Sequence, residues 1–169
     1  MKTTFLTFLF LLSIFITNVY SQNVVYANLN EIIKSSNVGS AIIDHYSKKN
    51  DKLIQDIKIK EKEIKEKEKL LISQKNILQP DEYTNKVNSL KKEINIFNNQ
   101  SNEQLKNLNN EKENKTRNFM NQINIILKEF AEQNKIDIIL NANQILIGKT
   151  NLDVTDKILT IVNKNIKKF

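Results

Sequence analysis

The chain has 169 residues, with 26 lysines and arginines against 19 aspartates and glutamates, one histidine, two glycines, one proline and no cysteine. The missing cysteine excludes disulfides, thiolate metal sites, cysteine nucleophiles and lipid attachment through an N-terminal cysteine. Two glycines leave no phosphate-cradling loop, while a formal charge of +7 favours anionic partners.

Residues 1–21 carry an early lysine at Lys2, an apolar run from Phe5 to Ile16, a polar break at Thr17 and Asn18, and small Ser21 before Gln22. That order is expected of a cleavable signal peptide cut after Ser21, because a twelve-residue run is short of the ~20 that cross a bilayer. Removing Lys2 leaves 25 basic against 19 acidic residues, interleaved along the chain rather than blocked together.

After the signal, Val24-Val25-Tyr26-Ala27-Asn28 is a β-branched and aromatic run bounded by polar residues, which predicts a strand, and Leu29 to Ser36 predicts a brief helix. Gly39 and Gly148 are separated by 108 residues that contain no glycine, and the only proline, Pro80, lies within that span. Two long helices folded back at one point are therefore expected, with Pro80 as the first residue of the second, where its missing N–H costs nothing. The first arm, Ser40 to Gln79, would be roughly 60 Å long, too long to pack inside a domain of this size.

In that arm Ile57, Ile64, Leu71 and Leu78 recur every seven residues, while the companion positions hold Lys60, Lys67 and Gln74, so the apolar seam is half-filled. Acid-before-base pairs such as Asp56 with Lys60 and Glu63 with Lys67 support an exposed helix by about 0.2–0.5 kcal/mol each. The second arm opens on Tyr83, Val87, Leu90, Ile94 and Phe97, a matching stripe at alternating steps of four and three. Between Asn98 and Asn118, eight of 21 residues are asparagine and only Leu105 and Leu108 are apolar. At up to ~0.7 kcal/mol each, those asparagines forfeit about 5 kcal/mol of helix preference, and a loosely held, bendable middle is expected. Apolar density returns with Phe119, Met120, Ile123, Ile126, Leu127 and Phe130, where the arm should rejoin a compact base.

Asp137-Ile138-Ile139-Leu140-Asn141 and Ile145-Leu146-Ile147-Gly148 read as two strands joined by a short turn. Thr155 is placed to cap a last helix carrying Ile158, Leu159, Ile161, Val162 and Ile166. The fold class is thus α+β: a small β-containing body built from residues 22–39 and 131–169, and a protruding antiparallel helical hairpin over 40–130 with its tip near Pro80. So small a core is expected to self-associate. Val24, Val25, Tyr26, Ile138, Ile139, Leu140, Ile145 and Ile147 are the candidate oligomerisation residues of the body. Ile57, Ile64, Leu71, Val87, Ile94, Phe97, Leu105 and Leu108 are candidates for seam or client contact in the arm.

Three stretches carry a resemblance to a known family. Val24-Val25-Tyr26-Ala27-Asn28-Leu29 resembles the first strand of the Skp/OmpH family of periplasmic chaperones for outer-membrane proteins. Lys135 to Asn143 resembles the family's later strand and turn, and Leu152-Asp153-Val154-Thr155-Asp156-Lys157-Ile158 with Asn163 resembles its closing motif. The resemblance implies a homotrimer with a shared β-barrel-like body, whose three arms enclose an unfolded outer-membrane protein. The chain departs from the family in the lysine and asparagine of its arms, and in Asn141 where an aspartate is common.

For catalysis the residues offer little. His45, the only histidine, falls on a charged, solvated helix, and Glu61, Glu63, Glu66 and Glu68 are interleaved with lysines as an ion-pair face. No enzyme activity, cofactor or metal is expected, and with one arginine and an exported address nucleic acid is not an expected partner. Weak contact with an anionic membrane surface fits the charge. Two readings follow: a periplasmic ATP-independent holdase for unfolded outer-membrane proteins, and a periplasmic coiled-coil adaptor or spacer that binds one folded partner.

Overall fold

The structure is a computed structural model that describes residues 22–168; the expected signal peptide lies outside the described residues. Strand β1 is Val24–Ala27. Asn28 caps the short helix α1, Leu29–Ser35, by accepting from the Glu31 N–H, and its amide returns a hydrogen bond to the Glu31 carboxylate, a reciprocal cap.

Helix α2 spans Asn37–Ser73, starting three residues earlier than expected because Ser36 turns the chain and caps it. The fully buried Ser36 hydroxyl accepts from Gly39 N–H at 3.2 Å and donates to the Ile33 carbonyl at 3.2 Å. A Cβ on Gly39 would lie 1.8 Å from that same carbonyl oxygen, so only glycine lets α1 and α2 meet this closely. Helix α2 ends at Ser73, six residues short of the expected end, and a reversal over 74–79 leads to helix α3, Pro80–Gln133, with the proline in its first turn as expected. The asparagine-rich stretch is continuous helix within α3.

Two ion pairs fix the hairpin register. Lys67 meets Glu93 at 2.7 Å and Lys49 meets Glu111 at 3.2 Å; the pairs are 18 residues apart on both helices, five full turns, so the helices run antiparallel without a skip. By that register the start of α2 lies level with Ile123. Helix α3, 54 residues against 37, runs on for ten residues past that level, about 15 Å, into the body, and its other seven surplus residues lie at the tip, before the level of Ser73.

Helix α3 stops where Lys135 takes a left-handed backbone, φ 52°, with Ile136 N–H bonded to Ala131 C=O and Lys135 N–H to Glu132 C=O. This closing motif usually employs glycine; here it aims the chain back along β1. Strand β2, Ile138–Asn141, pairs with β1 in parallel, Val24 opposite Ile138 and Ala27 opposite Asn141. The strand expected over Ile145–Gly148 does not form. A 3-10 turn at Ala142–Gln144 leads instead to an open loop, a second turn follows at Thr150–Leu152, and only Asp153 bridges to Tyr26. Tight hairpin pairing with β2 is lost because β2 is already parallel to β1 and the chain must cross to the far edge of β1 before the last helix.

That helix, α4, is Thr155–Asn165. Thr155 is not its cap, as expected, but its first residue: Val154 holds the cap position, and the Asp153 carboxylate before it accepts from the Thr155 N–H at 2.9 Å and from its hydroxyl at 2.5 Å. Thr155 Oγ1 is thereby free to accept from Asn28 N–H at 2.9 Å, tying the two ends of the chain together. Asn163 on α4 likewise accepts from Asn37 N–H, and Asp137 from Asn23 N–H. Around these ties lies the core: Val25, Ala27 and Ile32 from the front, Val38, Ile42 and Tyr46 from the root of α2, Phe119, Ile123, Ile126 and Phe130 from the end of α3, and Val154, Ile158, Val162 and Ile166 from the C-terminal segment. No buried side-chain polar atom lacks a partner among the described residues.

Candidate functional site

Along the hairpin the less exposed positions of α2 and the reversal after it are Tyr46, Asn50, Leu53, Ile57, Lys60, Ile64, Leu71, Gln74 and Leu78, which with Lys67 keep alternating steps of four and three. On α3 the partners are Tyr83, Val87, Leu90, Ile94, Phe97, Ser101, Leu105 and Leu108. Of the eight arm candidates only Ile64 is buried; Ile57, Leu71, Val87, Ile94, Phe97, Leu105 and Leu108 stay half-exposed. A seam with lysines at two of its positions closes incompletely, because an ammonium must keep its head in water or find an acid.

Glu93 is that acid. It takes Lys67 and Lys60, at 2.7 and 3.5 Å, both from seam positions of the opposite helix. Its hydrogen bond from Lys67 holds the Glu93 carboxyl below its ordinary value, and Lys60 also contributes. Lys60 is raised above its ordinary 10.5, chiefly by its hydrogen bond to Glu63 and then by Glu93. Glu66 is lowered by Lys69 three residues on. Since Lys60, Glu66 and Glu93 stay solvated, these pairs set register and alignment more than they add stability.

Near the tip two adjoining grooves share Lys67 and Leu70. One, about 710 Å³, lies between the helices and is lined by Leu71, Leu90, Glu82 and Lys86; the other, about 510 Å³, runs along the flank of α2 past Ile59, Lys62 and Glu66. Their floors are aliphatic and their rims carry both signs of charge. Leu70 and Ile59 are exposed apolar residues outside the heptad, as are Ile54 and Ile72 on the other flank of α2 and Ile77 at the reversal. The heptad reading missed them because a seam is sought at one helical face, whereas Ile59 and Leu70, eleven residues apart, form a second stripe. Such a surface offers many interchangeable apolar contacts.

The body candidates divide by the alternation of the strands. Val25 is buried and Ile139 packs against the core, whereas Val24 and Tyr26 are half-buried and Ile138 and Leu140 exposed on the outer face. Ile145 is half-buried and Ile147 is 89% exposed, in the loop that replaces the expected strand. Leu146, not among the candidates although it sits between two of them, is 97% exposed. His45 is exposed, its ring edge-on to Tyr46 with centroids 5.1 Å apart. Among the described residues no group of three or more His, Asp or Glu is gathered as a metal site would require, and no helix is long and apolar enough to cross a membrane.

A two-stranded parallel sheet and its packed helices, bearing a long, half-zipped antiparallel helical arm, define the class: an α+β protein with a protruding helical hairpin. The family model for OmpH-like outer membrane proteins matches residues 23–162, and the chain belongs to that family. Six solved chains match; one is the crystal structure of a protein from Caulobacter crescentus, described there as a candidate outer membrane chaperone (OmpH-like). The superposition has a TM-score of 0.79 and covers 88% of each chain at 14% identity, so it speaks for the shared fold. Among curated proteins none matches this sequence.

Proposed function

We propose that the protein is a periplasmic, ATP-independent holdase chaperone that binds unfolded outer-membrane β-barrel proteins and prevents their aggregation. The observation that carries the reading is the apolar surface the arm leaves open: a half-exposed seam, two grooves near the tip, and flanking Ile54, Ile59, Leu70 and Ile72, all on a hairpin that stands clear of the core. A folded partner is recognised by one matched patch. An unfolded chain is held by many weak contacts of low specificity, and a binder of the unfolded state opposes its folding until release. The family membership and the description of the Caulobacter protein support the same reading.

In this proposal the mature chain begins at Gln22 and three copies associate through their bodies, so that three arms surround the client. Excess lysine attracts anionic clients and the membrane surface nearby. No chemistry is performed and no nucleotide consumed.

The test is dilution of a denatured outer-membrane β-barrel protein into nucleotide-free buffer, with light scattering recorded against added protein. Full suppression is expected near one oligomer per client. A shortened hairpin lacking residues 57–103, closed by a short glycine linker in the observed register, is expected to keep the oligomer and lose the suppression. No suppression by the intact protein, combined with tight binding of one folded partner, would establish the adaptor reading instead.

A further inference from the structure

Where the arm leaves the body, the two helices of the hairpin stand apart. The buried core ends at Tyr46 on α2 and Phe119 on α3, and the seam of the arm resumes with Leu53 and Leu105. Between those levels lies a cavity of about 400 Å³. Asn50 opens it, because an amide at a seam position does not close against Leu108 as a leucine would. The volume falls within the ~300–1,000 Å³ of small-molecule sites. Every polar group the cavity presents is neutral or positive: Tyr46, Ser47 and Asn50 come from α2, Asn109 and Lys112 from α3. No acid lines it. Glu111, next to Lys112 in the chain, is already engaged by Lys49 at 3.2 Å, and Lys112 makes no ion pair among the described residues.

Tyr46 supplies an independent observation. It is only 4% exposed, its ring is met edge-on by His45 and from above by the Lys49 ammonium at 5.7 Å, and its hydroxyl makes no hydrogen bond among the described residues. A phenol buried this deeply ordinarily finds a partner. Since no side-chain polar atom closed off from solvent is left unpaired, the Tyr46 oxygen opens on the cavity that its ring lines. We propose that this cavity binds a small hydroxylated anion of about a hexose's size, a sugar acid or a sugar phosphate. An ammonium without a protein acid takes one negative charge, and the two amides and two hydroxyls around it, which both donate and accept, match a ligand's hydroxyl groups. Because Ser47 and Asn50 lie on one helix and Asn109 and Lys112 on the other, the bound anion bridges α2 and α3 and clamps the foot of the arm. The site is independent of the holdase reading, since nothing in it calls for a client.

The test titrates purified mature protein calorimetrically with D-gluconate and with glucose 6-phosphate, using glucose as the neutral control. Each anion is expected to bind once per chain, and glucose far more weakly. Lys112→Ala is expected to weaken the anions by roughly 10–100-fold, the worth of a hydrogen bond to a charged group, and Tyr46→Phe, which keeps the buried ring, by roughly 2–10-fold. Lys91→Ala, in the distal arm, is expected to change nothing. Bound gluconate is expected to slow hydrogen exchange of the backbone amides from Ser47 to Leu53 and from Leu105 to Lys112 alike. Phosphatidylglycerol vesicles added as a competitor are expected not to displace gluconate; displacement would assign the anion to a lipid headgroup and overturn the soluble ligand. Absence of saturable binding by either anion, glucose binding as tightly as gluconate, or unchanged affinity in Lys112→Ala overturns the site. Protection confined to one helix overturns the bridge.

Discussion

In the body, Ile32, Ile123 and Ile158 are fully enclosed and come from three separate elements, whereas in the hairpin between Asn50 and Asn118 only Ile64 and Ser101 are buried. The same helix α3 belongs to both regions, so the difference is not one of helix-forming tendency. It lies in what covers the helix. In the body, α3 is covered by α4, β2 and the root of α2, and closely packed methyl groups have no room to yield. In the arm it meets one partner whose facing positions include Lys60, Lys67 and Gln74, and water reaches the seam from both sides. A packed platform and a solvent-exposed arm thus arise from one continuous helix.

The comparison breaks most directly at the core. Ile158→Ala is expected to cost about 2–5 kcal/mol, as buried isoleucine truncations do, seen as a lower denaturation midpoint; Ile64→Ala, in a seam free to collapse, is expected to fall at or below the low end of that range. Equal costs would mean that the hairpin is as tightly packed as the body. Next in size is Gly39→Ala, whose methyl must push the Ile33 carbonyl aside and so separate α1 from α2; a loss of at least 1–3 kcal/mol is expected, with the arm's helix content by circular dichroism unchanged.

The smallest effect sharpens the arm alone. Glu93 has its carboxyl lowered in the folded protein, so the stability it contributes is present above the ordinary 4.5 and is lost as pH falls through the lowered value. Glu93→Gln is therefore expected to melt slightly below the parent at neutral pH, and the difference is expected to disappear in strong acid. Lys60 has the opposite sense: raised above 10.5, its contribution is present below that value and fades only as pH climbs past the raised one. A Glu93→Gln difference that persisted unchanged into strong acid would show that the side chain acts by packing and not by charge.

Much of this architecture was legible in the residues. Local rules suffice for helices of this length: no breaker between Gly39 and Pro80, proline at the start of α3, heptad spacing, and β-branched runs at the strands. The resemblance motifs also proved to be the ties of the body, since Asn28, Asp137, Thr155 and Asn163 each bond across the chain ends and Asp153 holds the Thr155 hydroxyl. What failed, failed for non-local reasons. Ile145-Leu146-Ile147 has the composition of a strand, but a strand needs a neighbouring edge, and composition does not say whether one is within reach. Thr155 has the composition of a cap, but the helix starts one residue sooner than that, with Val154 in the cap position, and a longer-range partner, Asn28, claimed the hydroxyl. The second apolar stripe of α2 went unseen because one helical face had already been assigned to the seam.

The sequence by itself determined where the chain is helical, where it reverses, and that residues 24–27 and 138–141 are strand-like, because those properties depend on neighbours within a turn or two. Only the tertiary structure decided that β1 and β2 run parallel, that the sheet keeps one open edge and one projecting loop, and which apolar residues stay in water. Those outcomes depend on which surfaces separated by more than a hundred residues come into contact, and contact at that distance is decided by packing of the whole fold.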